Sequence, residues 1–393
     1  MAKDKKKIVL NSTEDGKHAD IFLIFTMIIV IAVLSLGSLA APDREKSDNE
    51  NRYLTQMPKF SAESVLEGKF EAQLEDYLSD QIIGRENWIR IMSTTLKSVG
   101  YTDVNGVYIL DDGRLIERKT QEEFNPIRFR NNLDQIAEMN DALSEAGIEV
   151  KVMLIPTAAH SYRDLANMST NFDEGKAFSE ARDVLGDMLI DLEDAFAPDE
   201  NVPGGYYYKT DHHWNYSGAE KGASTYRDSL GLDSKSWEAV EMTRDFKGTL
   251  YSKVLLSEKD RDAISAPKES IGMKADVTIG DEHYDSVYFM DRLDNKDKYE
   301  VFFGGNYEKV EILNEEPDAG TKPRLLIVKD SYANSFVPFI MDDFSLITMI
   351  DTRYYRQSVK DLALKGKYDQ VLVLYSVSNF SEEKMSLNSS VLQ

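Results

Sequence analysis

Two short segments of the sequence hold the residue types of a serine-dependent acyl-transfer site. The first contains Asp211, His212 and His213, and the second places Ser331 directly after a run of apolar residues. In an extended chain, residues i and i+2 face the same side, so Asp211 and His213 can serve one site while His212 points away. A serine hydroxyl becomes a nucleophile when a histidine takes its proton and a carboxylate orients that histidine. The sequence therefore predicts Ser331 as nucleophile, His213 as base and Asp211 as the residue that orients the base.

The segment from Ile327 to Phe336 predicts where this serine lies in the fold. It has the pattern of a buried strand followed by a helix, with Ser331 between them. At that position the hydroxyl is presented at the carboxyl edge of a sheet, and free backbone N–H groups can stabilise an oxyanion. The alternative is that Ser331 is an ordinary helix N-cap, since Asp330 and Ser331 are both good capping residues.

Two other interpretations of the histidine segment stay open. Asp211 and His213 could be a structural hydrogen-bonded pair that stabilises a loop. A metal site is also conceivable, because Asp211, His212 and His213 are ligand types and His160 or His283 could join them. Zinc needs three or four convergent donors at defined spacings, and the sequence shows no such pattern. We therefore predict no metal and no cofactor.

The run Thr-Asp-His-His-Trp-Asn at 210–215 resembles the signature of the bacterial DHHW protein family. Its Asp-x-His-Trp element is similar to that of the exported alginate O-acetylation proteins, which are SGNH-hydrolase-like enzymes. In those enzymes the Asp-x-His pair precedes the serine, and this chain has the same order. The other segments that agree are Glu50-Asn51-Arg52-x-Leu54, Pro58-x-Phe60, Asp80-Gln81 with Arg85, Ile155-Pro156-Thr157, and Asp351-x-Arg353-Tyr354-Tyr355.

The resemblance covers most of the chain and implies both a fold and a function. The implied fold is an SGNH-hydrolase-like α/β domain. The implied reaction is acyl, usually acetyl, transfer to or hydrolysis from an extracellular polysaccharide, with a multipass membrane acyltransferase as the acyl donor. An oxyanion asparagine is also implied, and Asn379 and Asn334 are its candidates. The glycine-aspartate-serine block of SGNH enzymes reads Lys329-Asp330-Ser331 here, so its glycine is missing.

Four further residues are candidates for contact with the substrate. Trp214 could stack on a sugar ring, although core packing is an equal alternative. Arg353 with Tyr354 could contact substrate or could form a structural salt bridge and packing pair. His160 follows a predicted strand, at the edge of the sheet where active-site residues gather, but a lone loop histidine is usually incidental.

Apolar runs of strand length indicate an α/β fold. They lie at 150–155, 325–328, 346–350 and 371–374, and stretches with helical spacing separate them. This alternation favours a doubly wound parallel sheet. Between 231 and 322 the pattern is strand-like and irregular, and we predict a β-rich insertion there. Residues 107–116 contain an Asp-Gly pair between two apolar runs, which predicts a hairpin.

Residues 21–41 form an uncharged run long enough to cross a membrane, since about 20 apolar residues span a bilayer core. Lysines lie between residues 3 and 7, and the positive-inside tendency then places residues 1–20 in the cytoplasm. A cleaved signal peptide is the alternative, because Ser38-Leu39-Ala40 is a small-x-small site. The run, however, exceeds the roughly 7–15 residues of a typical signal core. We predict an anchor at 21–41, a tether at 42–51 and an extracytoplasmic domain at 52–393.

Charge and composition exclude several classes of protein. The net charge is −23, and no basic stripe relieves it, so nucleic acid is excluded as a partner. The chain has no cysteine, which excludes disulfides, thiolate metal sites and cysteine nucleophiles. Three functions fit what is left. They are a membrane-anchored O-acetyltransferase acting on a polysaccharide, an acetylesterase with the same residues, and a non-catalytic glycan-binding or scaffold subunit.

Overall fold

The computed structural model describes residues 14–47, 52–165, 168, 171–256 and 261–389 of the chain. These residues fall into two compact units that divide between Ile91 and Met92. The segment predicted as one domain over 52–393 therefore belongs to two units.

The first unit contains the apolar helix. Helix α1 (Glu14–Ala40) includes most of the predicted anchor, and its segment His18–Ala40, with a mean hydropathy of 2.7, is long and apolar enough to span a membrane. A signal sequence near the N-terminus can meet the same criteria of length and hydropathy. Strands β1 (Lys46–Ser47) and β2 (Arg52–Tyr53) pair antiparallel, so part of the predicted tether is ordered, while its residues 48–51 lie outside the described residues. The helices that follow are α2 (Ala62–Leu66), α3 (Lys69–Gln81) and α4 (Arg85–Ser98), and the division between the units falls within α4.

The second unit is built on a mixed sheet. Its strands are β3 (Asp103–Val104), β4 (Val107–Ile109), β5 (Leu115–Glu117), β6 (Glu149–Ile155), β7 (Leu189–Ile190), β8 (Ala239–Phe246), β9 (Asp262–Pro267), β10 (Ala275–Ile279), β11 (Glu282–Tyr284), β12 (Lys309–Asn314), β13 (Arg324–Lys329), β14 (Leu346–Ile350) and β15 (Gln370–Ser376). The main sheet has eight strands in the order β11-β10-β12-β14-β13-β15-β6-β7. The strands from β14 to β7 are parallel, as predicted.

Helices cover both faces of this sheet. They are α5 (Pro126–Glu145), α6 (Ala158–Ser161), α7 (Glu174–Leu185), α8 (Tyr216–Ser229), α9 (Thr249–Val254), α10 (Tyr332–Ile340), α11 (Val359–Gly366) and α12 (Val377–Glu382), with 3-10 turns at Gly186–Met188, Lys268–Ser270, Met290–Asp294, Lys298–Val301, Ala319–Thr321 and Met341–Asp343. Helices α8 and α10 pack in the core on one face, and α5, α7, α11 and α12 pack in the core on the other. The central strands are therefore apolar over most of their length, which explains the continuous runs in the sequence.

The segment predicted as a β-rich insertion is divided between two places. Strands β10, β11 and β12 extend the main sheet through antiparallel pairing, whereas β8 and β9 form a separate antiparallel pair. Residues in β10 alternate between buried and partly exposed positions, because one face of this edge packs on the core. Part of the predicted insertion therefore belongs to the main sheet. Its strands alternate between buried and partly exposed residues, so they lack the continuous apolar runs of the central strands.

The predicted hairpin is confirmed. Strands β4 and β5 pair antiparallel from Val107↔Glu117 to Ile109↔Leu115 and form a small sheet with β3. Gly113 has φ +85°, a conformation that glycine adopts without the steric cost that other residues meet.

The order of the strands reverses at β13. The chain leaves β13 through α10 on one face and returns as β14, then leaves through α11 on the opposite face and returns as β15 on the other side of β13. In open α/β sheets, ligands bind in the crevice outside the carboxyl ends of the strands at such a reversal. The end of β13 is therefore the position where the fold favours a functional site.

Candidate active site

Ser331 lies at the end of β13, between that strand and α10. Its backbone is helical, with φ −64° and ψ −16°, and its side chain caps no N–H group of the helix. Asp330 Oδ1 instead accepts a hydrogen bond from the Tyr332 N–H at 3.0 Å. The Ser331 Oγ lies 2.6 Å from His213 Nε2. The interpretation of Ser331 as the capping side chain is therefore wrong, because its neighbour takes that role and leaves the hydroxyl to the imidazole.

The structure brings Asp211 to the other side of the same imidazole. Asp211 Oδ1 lies 2.6 Å from His213 Nδ1 and accepts a hydrogen bond from the His213 backbone N–H at 3.0 Å. Both side chains are buried, with Asp211 2% and His213 6% exposed. Because an ionised carboxylate can only accept, His213 holds its proton on Nδ1, and Nε2 is left to accept from Ser331. The arrangement can move a proton from the serine to the histidine.

Electrostatics place this pair in the protonation states that a general base needs. Burial raises the pKa of Asp211, but the His212 and His213 rings and the hydrogen bonds from His213 outweigh burial and hold that pKa well below its usual range. Burial lowers the pKa of His213, the nearby His212 ring adds to this, and Asp211 opposes it. Asp211 is therefore ionised and His213 neutral near pH 7.

Thr249 holds the second oxygen of Asp211. Its backbone N–H donates to Asp211 Oδ2 at 2.7 Å, and its hydroxyl donates to the same oxygen at 3.0 Å. Gly248 precedes it, and a Cβ at that position would lie 2.2 Å from the Cβ of Asp211, so the close approach requires glycine. The Thr249 hydroxyl also lies 2.9 Å from His212 Nδ1. No motif in the sequence marks Thr249, because it reaches the site only through the packing of α9.

Tyr299 forms a wall against the imidazole. The rings of Tyr299 and His213 are stacked, with centroids 4.1 Å apart and planes inclined by 11°. The Tyr299 hydroxyl donates to the Ser331 carbonyl at 3.0 Å. One side chain thus restrains both the base and the serine turn. Tyr299 lies in the segment predicted as an insertion, and no spacing in the sequence marked it.

Asp330 joins the serine turn to the neighbouring strand. Its Oδ2 accepts from the Ser376 N–H at 2.9 Å and from Asn379 Nδ2 at 2.8 Å. Asn379, one of the predicted oxyanion candidates, therefore lies beside the serine turn. Among the described residues, nothing accepts its second amide hydrogen or the backbone N–H of Ser331. These two groups are donors that an oxyanion could use.

Asn334, the other oxyanion candidate, is engaged elsewhere. Its Oδ1 accepts from Lys329 Nζ at 2.8 Å, and its Nδ2 donates to the Gly305 carbonyl at 3.4 Å and to Asn306 Oδ1 at 3.2 Å. The side chain is buried and both amide hydrogens have protein acceptors. The prediction of Asn334 as an oxyanion donor is therefore wrong, because neither amide hydrogen is left for an oxyanion.

The structure also contradicts the prediction that Trp214 stacks on a sugar ring. Its ring is fully buried, and its Nε1 donates to the Tyr332 carbonyl at 3.1 Å and to Ser335 Oγ at 2.9 Å. Gly222 packs so closely that a Cβ there would lie 2.8 Å from the ring. A side chain enclosed in this way cannot stack on a sugar. Trp214 is a core residue that positions the backbone next to His213.

The other predicted substrate residues lie at the same edge of the sheet. Arg353 and Tyr354 follow β14, adjacent to β13. The Arg353 guanidinium is paired with Asp351, at 2.6 Å between Nη2 and Oδ2, and lies 5.6 Å from the Tyr354 ring centroid. Both residues keep exposed surface. His160 follows β6, two strands from β13, and its buried Nε2 lies 3.6 Å from Glu193 Oε1.

Within the described residues, Asp211, His212 and His213 bring metal-ligand atoms within 4.8 Å of one another. However, Asp211 Oδ1 and His213 Nδ1 are bonded to each other, and His213 Nε2 meets Ser331. The atoms that a metal would need already take part in the hydrogen-bonded chain. The donor set therefore fits a serine-histidine-aspartate arrangement better than a metal site.

The sequence matches two family models. Residues 116–255 match the SGNH hydrolase-like domain of the acetyltransferase AlgX, and residues 199–350 match the DHHW protein family. The two matches overlap on the Asp-His-His-Trp segment. A comparison with curated proteins found no match.

Two solved structures have a similar fold. A DHHW family protein from Eubacterium siraeum is 21% identical, with a TM-score of 0.58, and the match covers 72% of this chain and 94% of that chain. Bacillus cereus PatB1, solved with a sulfonyl adduct, is 18% identical, with a TM-score of 0.60, and the match covers 72% of this chain and all of that one (100%). The chain therefore has an SGNH-hydrolase-like α/β fold, and its residues 116–350 are similar in sequence to the SGNH hydrolase-like domain of AlgX and to the DHHW family.

Proposed function

We propose that this protein is a membrane-anchored, extracytoplasmic O-acetyltransferase that modifies a polysaccharide through Ser331, His213 and Asp211. The observation that carries the proposal is the 2.6 Å approach of the Ser331 hydroxyl to His213 Nε2, across 118 positions of sequence. The 2.6 Å contact of Asp211 with His213 Nδ1 completes the chain of three groups. A helix cap would not need such an approach, since Asp330 already caps α10.

The proposed chemistry follows from these positions. His213 Nε2 takes the Ser331 proton while Oγ bonds to the acyl carbon of the donor, and the carbonyl oxygen becomes an oxyanion. His213 returns this proton to the leaving group, and the acyl ester stays on Ser331. A sugar hydroxyl then gives its proton to His213 and attacks the ester carbon. The bond from that carbon to Ser331 Oγ breaks, His213 passes the proton to Oγ, and the acetyl group stays on the sugar. Asp211 stays ionised and stabilises the imidazolium in both steps.

Three observations support acetyl transfer to a glycan. The AlgX match is to a domain described as an acetyltransferase. PatB1, which has the same fold, was solved with a sulfonyl adduct, and sulfonyl reagents react with activated hydroxyl groups. The resemblance to alginate O-acetylation proteins supports a polysaccharide acceptor and a multipass membrane acyltransferase as the acyl donor.

A fluorophosphonate probe tests the nucleophile. The wild-type protein should be labelled on the peptide that contains Ser331, and Ser331→Ala should abolish labelling while the protein stays folded. Labelling that persists in Ser331→Ala would remove this residue from the mechanism.

A second experiment distinguishes a transferase from an esterase, by incubating the protein with an acetyl donor and oligosaccharides. Acetylated sugar is expected, whereas free acetate as the only product would favour the esterase.

Cysteine labelling tests the proposed location, because the chain has no cysteine of its own. Asp281→Cys, at an exposed turn of the second unit, should react with a membrane-impermeant maleimide in intact cells. Asp4→Cys, before the apolar segment, should react only after lysis. The reverse pattern would contradict the proposed orientation.

A further inference from the structure

A buried lysine lies two residues before Ser331. Lys329 is only 1% exposed, and its Nζ donates to Asn306 Oδ1 at 2.7 Å and to Asn334 Oδ1 at 2.8 Å. A lysine ammonium has hydrogens to donate and no lone pair to accept with. The oxygens of both amides must therefore face Lys329, so the orientation of each amide follows from chemistry alone.

This contact fixes which way the Asn306 amide points. Its oxygen accepts from Lys329 and also from Asn334 Nδ2 at 3.2 Å, so two donors hold it. The amide nitrogen must then point away from both. Asn306 is exposed, and nothing in the described part of the chain accepts from its Nδ2. Asn306 thus presents a pre-oriented pair of N–H donors.

The backbone that delivers Asn306 is unusual. Phe303 has φ +62° although it is bulky and fully buried, and Gly304 and Gly305 follow with φ +74° and +136°. A bulky residue takes the left-handed conformation only where its surroundings impose it, and such positions are frequent at functional sites. The Gly305 carbonyl accepts from Asn334 Nδ2, which ties the turn to α10.

The same turn lies over the strands beside Ser331. The Asp351 N–H donates to the Glu308 carbonyl at 3.2 Å, which brings this segment to the carboxyl end of β14. The contact with Lys329 brings Asn306 on to the end of β13. Asn379 approaches from β15, on the other side. Ser331 therefore follows the strand that lies between the two amides.

We propose that Asn306, with Lys329 as its positioning residue, donates a hydrogen bond to the carbonyl oxygen of the acyl group that Ser331 receives. The proposal rests on the proposed role of Ser331 as nucleophile. Negative charge develops on that oxygen as the Ser331 Oγ–C bond forms and the proton passes to His213. A donor that is already oriented stabilises this charge without reorganisation. Asn306 and Lys329 give up no atom or proton in this step.

The environment of Lys329 makes the proposed role dependent on pH. The charged groups around it are Asp330 beside it, Asp351 and Arg353 after β14, and Glu383 after α12. Burial lowers the pKa of Lys329 to about 8, against the pull of the three carboxyl groups and with help from Arg353. Burial and the nearby Asp330 raise the pKa of Glu383 to about 8, so this carboxyl ionises in the same range and favours the ammonium. Above that pH the neutral amine can accept as well as donate, and the Asn306 amide is no longer forced into one orientation.

The test uses the full-length protein in detergent with p-nitrophenyl acetate, and the burst of p-nitrophenolate reports acylation of Ser331. Asn306→Ala should lower the rate constant of the burst about 100-fold, as loss of one oxyanion donor does. Asn295→Ala, an exposed asparagine at the end of the 3-10 turn Met290–Asp294, is the matched control and should keep the wild-type rate. Lys329→Met should slow acylation to a similar extent. The double variant should be no slower than Asn306→Ala, because the two residues act as one unit.

The outcomes separate this proposal from the proposed function. A burst that survives in Ser331→Ala overturns the proposed function. A wild-type burst in Asn306→Ala, with none in Ser331→Ala, overturns only the role of Asn306. If Lys329→Met does not fold, the role of Lys329 is tested by the pH dependence of the acylation rate above pH 8, measured in the wild type and in Asn306→Ala. After correction for hydroxide, the wild-type rate should fall above about pH 8 and that of Asn306→Ala should not, and an equal fall in both would overturn the coupling.

Discussion

Two strand ends at the same edge of the sheet each hold a hydroxyl, a histidine and a carboxyl group, but their connections differ. At the end of β13, the Ser331 hydroxyl meets His213 at 2.6 Å, and Asp211 lies behind the ring. No backbone group uses the serine hydroxyl as a cap. The three groups form a chain in which a proton can move.

At the end of β6, the hydroxyl belongs to Thr157 and serves the backbone. Thr157 Oγ1 accepts from the His160 N–H at 3.3 Å, which caps α6, and donates directly to the Glu174 carboxyl group. The His160 ring does not lie between them, and its Nε2 has no hydrogen-bond partner in the described part of the chain. The same residue types therefore stabilise a loop here.

The carboxyl groups differ as much as the hydroxyls. Neighbouring histidine rings hold the pKa of Asp211 well below its usual range. Burial raises the pKa of Glu174 to about 7, against the hydrogen bonds from Thr157. Residue types alone therefore do not define a reactive site. What matters is whether the imidazole separates the hydroxyl from an ionised carboxylate.

Removal of the Ser331 hydroxyl and removal of the Thr157 hydroxyl should give the largest difference in acylation rate. Ser331→Ala should abolish the burst of p-nitrophenolate, because no hydroxyl remains to take the acyl group. Thr157→Val should leave the rate within about twofold, because its hydroxyl serves a helix cap. Burst kinetics with p-nitrophenyl acetate measure both. A comparable loss in Thr157→Val would erase the distinction between the two strand ends.

Replacement of the two carboxyl groups should also affect kcat at the end of β13 and not at the end of β6. Asp211→Asn should reduce kcat by about 10⁴-fold, because an amide can donate to His213 Nδ1 and so stabilise the wrong tautomer. Glu174→Gln should keep kcat near the wild-type value. Steady-state kinetics of both variants would show this, with near-ultraviolet circular dichroism to confirm folding. Equal kcat for Asp211→Asn and wild type would contradict the role of Asp211.

The pH dependence of kcat/KM should report His213. The base must be neutral, so activity is lost as pH falls through its pKa, and burial lowers that pKa from its usual value of about 6.5. The acid limb should therefore lie below pH 6.5, and the loss should reach about tenfold one pH unit below the pKa. A limb above pH 7 would show that another group titrates.

The second strand end should respond to pH through stability and not through rate. Glu174 has a pKa of about 7 when folded and an ordinary value near 4.5 when unfolded, so the folded state binds more protons between these values. The free energy of unfolding should therefore decrease as pH rises from 4.5 to 7, by up to about 3 kcal/mol. Urea unfolding at the two pH values measures the change. Glu174→Gln should remove it, and a change that persists would assign it to another group.

Local patterns predicted much of the fold and part of the site. The buried strands 325–328 and 371–374 were recognisable because helices on both faces require apolar residues at every position. The prediction that Asp211 and His213 meet is confirmed, since Asp211 Oδ1 and Ser331 Oγ each lie 2.6 Å from the His213 ring. The prediction that His212 points away is wrong, because residues 211–213 form bends and not a strand, and the His212 and His213 ring centroids are 3.9 Å apart. The catalytic role of Asp211 and His213 stays a prediction. Tyr299, Thr249 and Lys329 had no local signal, because each acts through a contact with a distant segment.

The sequence by itself determined which residues share a side of a strand, which strands are covered on both faces, and which segment is apolar enough to span a membrane. These properties depend on residues within a few positions of one another. Tertiary structure alone decided that Asp330 caps α10 in place of Ser331, that Trp214 is enclosed by α8 and α10, and that Asn334 faces Lys329. The physical reason is competition for partners. A hydroxyl, amide or ring can bind only the groups that packing brings within reach, and at this site those groups come from as far as 121 positions away.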